Sequence, residues 1–119
     1  MARILLAEDD DQMRAFLGRG LRRAGHMVEA VPDGETALAS AQGAEYDLLL
    51  ADVVMPGIDG IELARRVAAR QPGIRVMFIT GFAAVALQDE GFGAQRPRVL
   101  AKPFHLRHLI AEIQALLAQ

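Results

Sequence analysis

The chain has 119 residues, 52% of them hydrophobic, a formal net charge of −2 and no cysteine. That length suits one domain with a single core. The near-neutral charge excludes nucleic-acid binding by bulk charge, the missing cysteines exclude disulfides and thiolate metal sites, and no apolar run is long enough to span a membrane.

In chain order, residues 4–7 form a short apolar run that stops at Glu8-Asp9-Asp10-Asp11. A strand followed by helix-capping acids is the natural reading. The run before those acids is too short for a signal peptide, so a cytoplasmic protein is expected. Met13, Phe16, Leu17, Leu21 and Ala24 then recur at helical spacing as one apolar stripe, and Gly25 is placed to end the helix. Residues 27–31 predict a second, less apolar strand nearer a sheet edge. Asp33-Gly34-Glu35 opens a second helix over 36–42, with Ala37, Leu38 and Ala41 inward. Residues 47–51 predict a third strand. A third helix begins at Asp59 or Gly60, with Ile61, Ala64, Val67 and Ala68 inward and Arg65, Arg66 and Arg70 outward. Residues 74–79 predict a fourth strand. Ala83 to Glu90 predicts only a weak helical segment, because Gly91, Gly93 and Pro97 leave little room for a long helix. Residues 99–101 predict a fifth strand. Leu106, Leu109, Ile110, Ile113, Leu116 and Leu117 mark a final helix. Strands alternating with helices imply an α/β fold, a doubly wound parallel sheet covered by helices on both faces.

The chemistry lies where the strands stop. Leu48-Leu49-Leu50-Ala51 runs into Asp52, with a Pro56-Gly57 turn beyond. A continuous apolar run of this length reads as a strand buried on both faces, and open α/β sheets place ligands at the carboxyl ends of such strands. The other strands end at Glu8 and Asp9, at Thr80 and at Lys102. A parallel sheet brings these ends to one edge. Three crowded carboxylates repel one another, and a hard divalent cation such as Mg²⁺ relieves this. Asp52 would then stay ionised and free to attack phosphorus, with Lys102 and the Thr80 hydroxyl neutralising the phosphoryl oxygens. No residue is placed by the sequence to act as a general base.

Over its whole length the sequence resembles the receiver domain of two-component response regulators. The matching pieces are Ile4-Leu5-Leu6-Ala7-Glu8-Asp9-Asp10, the stretch from Asp47 through Met55-Pro56-Gly57-Ile58-Asp59-Gly60, Ile79-Thr80-Gly81 and Lys102-Pro103-Phe104. The resemblance implies a flavodoxin-like (CheY-like) five-stranded sheet of order 2-1-3-4-5 with five helices, the fourth weak. It implies Asp52 as phosphoacceptor, Asp9 as direct Mg²⁺ ligand, Glu8 acting on the metal through water and the Val54 carbonyl as a further ligand. Thr80 becomes the switch hydroxyl, Lys102 the phosphate-pairing lysine, and Lys102–Pro103 a cis bond. The family usually carries an aromatic residue three positions before the lysine; here that residue is Val99, so a switch by backbone and helix shifts is expected in place of the usual threonine–aromatic coupling, with Phe82 as a candidate substitute aromatic.

The sequence ends soon after the last helix, so the expectation is one stand-alone receiver over 1–119 with no output domain. It would take its phosphoryl group from a histidine kinase or histidine phosphotransferase and act on a downstream protein. The opening ten residues look like those of single-domain regulators that prime the ClpXP (ClpX) protease. Two other readings share the residues: a Mg²⁺-dependent phosphatase with an aspartyl nucleophile, and a phosphorylation-independent interaction module. The expected output face runs from Phe82 to the last helix, with Val85, Leu87, Phe92, His105 and His108. The two histidines lack carboxylate or thiol partners in sequence and are expected to face solvent.

Overall fold

β3 (Leu48–Asp52) is buried at every position, which is why its sequence is continuously apolar rather than alternating. It lies mid-sheet, between β1 (Arg3–Ala7) and β4 (Arg75–Thr80), with β2 (Met27–Val31) and β5 (Arg98–Ala101) at the edges. All neighbouring strands pair parallel, in the order β2-β1-β3-β4-β5. The computed structural model describes residues 1–81 and 97–118. Among these, the helices are α1 (Asp11–Arg23), α2 (Gly34–Gly43), α3 (Gly60–Arg70) and α4 (Leu106–Leu117). The described residues thus carry four helices; the fifth, weak segment expected at residues 83–90 lies outside them.

Successive strand residues feed opposite layers. Leu5, Ala7, Leu49, Ala51, Val76 and Phe78 join Ala37 and Ala41 of α2 and Leu63, Ala64 and Val67 of α3 in one core. Ile4, Leu6, Leu48, Leu50, Met77 and Ile79 join Leu17 and Leu21 of α1 and Leu109, Ile113 and Leu116 of α4 in the other. Aspartates start three of the helices. Asp10 accepts from the Met13 amide (2.9 Å), Asp33 from Thr36 (2.7 Å) and Asp59 from Glu62 (2.8 Å). Each such cap contributes about 1 kcal/mol.

The structure corrects the helix faces in two places. Phe16, expected in the stripe of α1, is 44% exposed. The helix presents Gly18 and Gly20 inward instead. An ideal Cβ at Gly20 would stand 2.6 Å from the Leu106 side chain, so the close approach of α1 to α4 turns the face away from Phe16. Leu63 of α3 is fully buried although it lies outside the stripe of Ile61, Ala64, Val67 and Ala68, because α3 is covered over a wide arc. The bounds of β2 match the expected ones, while β1, β3, β4 and β5 each begin or end one residue away from theirs.

β2 is an edge strand, as its composition suggested. The Arg22 guanidinium donates to the Val28 carbonyl at 3.0 Å and so covers part of that edge. At the amino end of the sheet, Gln71 donates to the carbonyls of Ala41 (3.0 Å) and Ala44 (2.8 Å) and accepts from the Tyr46 amide (2.9 Å). One side chain thereby satisfies the end of α2 and fixes the entry into β3. No helix among the described residues is long and apolar enough to cross a membrane.

Candidate functional site

The parallel register decides which residues meet. Ala7 of β1 pairs with Val31 and Ala51, Asp52 with Ile79, and Thr80 with Ala101. Glu8, Asp52, Thr80 and Lys102 therefore occupy one edge of the sheet. Among the described residues, the buried polar or charged side chains are Glu8 (1% exposed), Asp52 (8%) and Thr80 (1%). Burying such groups costs free energy unless they have partners, and all three gather at this edge.

Lys102 sits at the centre of the arrangement. Its Nζ donates to Asp52 Oδ2 at 2.7 Å and stands 3.7 Å from Glu8 Oε1. The Lys102 amide donates to the Thr80 carbonyl at 3.0 Å, so the end of β4 sets the height of the lysine. The Lys102–Pro103 bond is cis, as expected. Asp52 Oδ1 accepts from the Val54 amide at 3.2 Å. Glu8 Oε2 accepts from the Asp10 amide at 3.1 Å, and Arg14 donates to the Glu8 carbonyl at 2.9 Å. One carboxylate oxygen each from Glu8, Asp9 and Asp52 lies within 4.8 Å of the others. Asp9 is the exposed member of the three, and Glu8 and Asp52 form the floor.

The electrostatics follow from that crowding. Burial pushes the Glu8 carboxyl above its ordinary 4.5, against the Asp10 amide, which favours the charged form; the negative charge of Asp52 adds to the rise. Burial alone would lower the Lys102 ammonium, but its hydrogen bond to Asp52 and the charges of Asp52, Glu8 and Asp9 carry it above its ordinary value. Three carboxylates face one ammonium, an arrangement short of positive charge and rich in hard oxygen donors.

Thr80 is buried one strand over from Asp52. Val99, at the position where receivers usually hold an aromatic residue, is half-buried against the core layer of α2 and α3. Val54 is 57% exposed beside the site. Phe82, Val85, Leu87 and Phe92 lie outside the described residues. Of the expected output face, His105 and His108 are exposed at the start of α4. His108 does have a carboxylate neighbour, contrary to expectation: its Nε2 is 3.7 Å from Glu112 Oε1, but Glu112 is already held by Arg98 at 2.8 Å. The sequence reading missed Arg14 and the two backbone amides. Only the turn after Asp52 and the acids after β1 hinted that amides would point inward there.

A model of the response regulator receiver domain matches residues 4–114. The chain is 50% identical to the response regulator receiver protein CpdR of Brucella abortus over 98% of both chains. It is 39% identical to the transcriptional regulatory protein TcrA of Mycobacterium tuberculosis over 96% of its own length but 45% of TcrA's. Among solved structures it resembles the chemotaxis protein CheY4 of Vibrio cholerae (TM-score 0.87, 28% identity, 98% of both chains). It also resembles the receiver domain of the hybrid histidine kinase CckA (TM-score 0.82, 35% identity, 97% and 98% of the two chains). A third likeness is to the response regulator TrrA of Thermotoga maritima, solved in complex with Mg²⁺–BeF (TM-score 0.84, 25% identity, 98% and 99%). The chain belongs to the response regulator receiver domain family.

Proposed function

We propose that this chain is a single-domain response regulator that accepts a phosphoryl group on Asp52 from the phosphohistidine of a histidine kinase or histidine phosphotransferase, and thereby switches a contact with another protein. The observation that carries this reading is Asp52 held by Lys102 at 2.7 Å with two further carboxylates within 4.8 Å. In the transfer, an Asp52 oxygen forms a bond to phosphorus while the donor's N–P bond breaks, and the electron pair stays on the imidazole nitrogen. Lys102 sits on Oδ2, so a phosphoryl group arriving there meets an ammonium at once. Thr80, buried at the neighbouring strand end, is the hydroxyl assigned to a further phosphoryl oxygen. Positioning and charge neutralisation suffice for such chemistry, because the donor brings the activated group.

The donor set fits Mg²⁺. Hard carboxylate oxygens at this spacing suit that ion, with waters completing its shell. Asp9 and Asp52 would hold it directly, Glu8 through water, and Val54 through its carbonyl. When bound, it supplies positive charge that keeps Asp52 ionised and neutralises developing phosphoryl charge. The TrrA structure in complex with Mg²⁺–BeF supports this assignment by family likeness.

For output, the 50% identity to CpdR over nearly the whole of both chains supports a receiver that acts through protein contact. The resemblance to single-domain regulators of the ClpXP protease gives the finer reading: this protein primes ClpX-dependent proteolysis of selected substrates in one phosphorylation state. The test is mobility on a phosphate-affinity gel after incubation with acetyl phosphate. The wild type gains a Mg²⁺-dependent shifted band and Asp52→Asn does not. A wild type that never shifts, or a variant that shifts equally, overturns the reading. Degradation assays with ClpXP and wild type or Asp52→Ala decide the output.

A further inference from the structure

The site described above leaves one contact unused. Gly60, the first residue of α3, lies directly against the backbone of the acceptor. An ideal Cβ built there would stand 2.0 Å from the Asp52 carbonyl oxygen, 2.8 Å from the carbonyl carbon and 3.0 Å from the Val53 Cα. No real side chain tolerates the first two distances, and the obstacle is backbone, which cannot swing aside as a side chain can. The Gly60 amide also donates to the Val53 carbonyl at 2.9 Å, and the Asp59 cap on Glu62 holds this end of the helix in place. Across the same loop, Gly34 at the start of α2 makes a second close approach: a Cβ there would stand 2.9 Å from the Ile58 carbonyl and 3.0 Å from the Ile58 Cβ. The segment between β3 and α3 is thus clamped between two glycines.

We propose that Gly60 is a positioning residue for phosphoryl acceptance: by letting α3 rest on the Asp52–Val53 peptide, it sets the height of the Asp52 carboxylate against Lys102 and the Glu8–Asp9 pair, and Gly34 presses the loop into that position from the other side. The inference rests on the reading of Asp52 as acceptor. Any side chain at residue 60 must lift the start of α3 or turn the Asp52 peptide. Turning it moves a carboxylate whose two oxygens are fixed at 2.7 Å by Lys102 and at 3.2 Å by the Val54 amide. A displacement of about 1 Å at a reacting group costs on the order of 100-fold in rate.

The experiment compares full-length wild type, Gly60→Ala, Gly34→Ala and Gly43→Ala. Gly43, at the end of α2, has open space where a methyl would project, with nothing within 4 Å, and serves as the control. Three quantities are measured: phosphoryl uptake from acetyl phosphate, Mg²⁺ affinity by NMR titration of backbone amides, and thermal unfolding. The expected result is a folded Gly60→Ala protein with uptake slowed by roughly 10- to 100-fold and weaker Mg²⁺ binding, a loss of about 2- to 5-fold for Gly34→Ala, and no change for Gly43→Ala. Lower melting temperature alone, with uptake and Mg²⁺ affinity of the folded protein unchanged, is the signature of a purely structural glycine, and it overturns the proposal. Should Gly60→Ala fail to fold, Gly34→Ala decides: slowed uptake supports the clamp and wild-type uptake refutes it. A wild-type protein that takes up no phosphoryl group at all refutes the acceptor reading itself, and this inference with it.

Discussion

The two ends of the sheet are both polar, yet they use polarity in opposite ways. At the amino end, side chains bond to backbone. Asp47 accepts from the Arg3 amide at 2.8 Å, and Gln71 spreads its amide over Ala41, Ala44 and Tyr46. At the carboxyl end, charged side chains face one another: Glu8, Asp9 and Asp52 crowd together with Lys102 as the cation among them. The first arrangement closes chain ends and stabilises. The second concentrates like charge at a cost in stability, the arrangement on which the proposed cation and phosphoryl binding rests. What separates the two ends is the crowding of like charges: Glu8 and Asp52 each also accept a backbone amide, but only at the carboxyl end do three carboxylates stand within 4.8 Å of one another.

The comparison breaks most visibly at Lys102. Lys102→Ala removes the ammonium beside the three carboxylates, and output measured as partner binding should fall by more than about tenfold, while phosphoryl uptake falls less. Normal phospho-dependent binding by that variant would show that the lysine is a bystander. At the opposite end, Gln71→Ala should leave uptake unchanged and lower unfolding stability by about 1–3 kcal/mol in denaturant titration, because carbonyls of α2 lose their donor. Equal stability would mean that water replaces the side chain at no cost.

The acidic end should gain stability when the buried charge of Glu8, next to Asp52, is removed. Glu8 has a raised carboxyl pKa, so the stability it contributes is present below 4.5 and is lost as pH rises through the folded value. Glu8→Gln should therefore melt higher than wild type at neutral pH in chelator, with the difference vanishing below pH 4.5. A lower melting temperature for the variant would contradict the cost of burying that charge beside Asp52. At the amino end the sign reverses, with the smallest effect. His26 Nδ1 accepts from the Ala2 amide at 3.2 Å, its Nε2 is buried without a partner among the described residues, and burial, aided by the chain-terminal ammonium, lowers its pKa below 6.5. Its contribution is present above pH 6.5 and lost as pH falls through the folded value. Melting curves from pH 7 to 5 should show a decline that His26→Asn flattens.

These contrasts also explain what could be read from the chain in advance. The five strands were legible because short apolar runs stop abruptly at charged or turn-forming residues. The membership of the site was legible because parallel strands deliver all their carboxyl ends to one edge, so Glu8, Asp9, Asp52, Thr80 and Lys102 could be grouped without knowing the register. Phe16 was misread because periodicity marks a stripe but cannot say that Gly20 and Leu106 draw α1 against α4 on a neighbouring face. The role of Gln71 left no trace in the pattern, since its partners lie 25, 27 and 30 residues away and are backbone groups. The Gly60 contact was hidden for the same reason: a glycine after a capping aspartate reads as a helix start, and only the folded chain brings the Asp52 carbonyl beneath it.

The central claim is that Asp52 itself carries the phosphoryl group. Borohydride reduces an aspartyl phosphate to homoserine, so peptide mass spectrometry of reduced, phosphorylated protein reads the modified position directly. The account predicts homoserine at residue 52, dependent on Mg²⁺. Homoserine at Asp9, Asp10 or Asp11 instead, or none at any position, would contradict it.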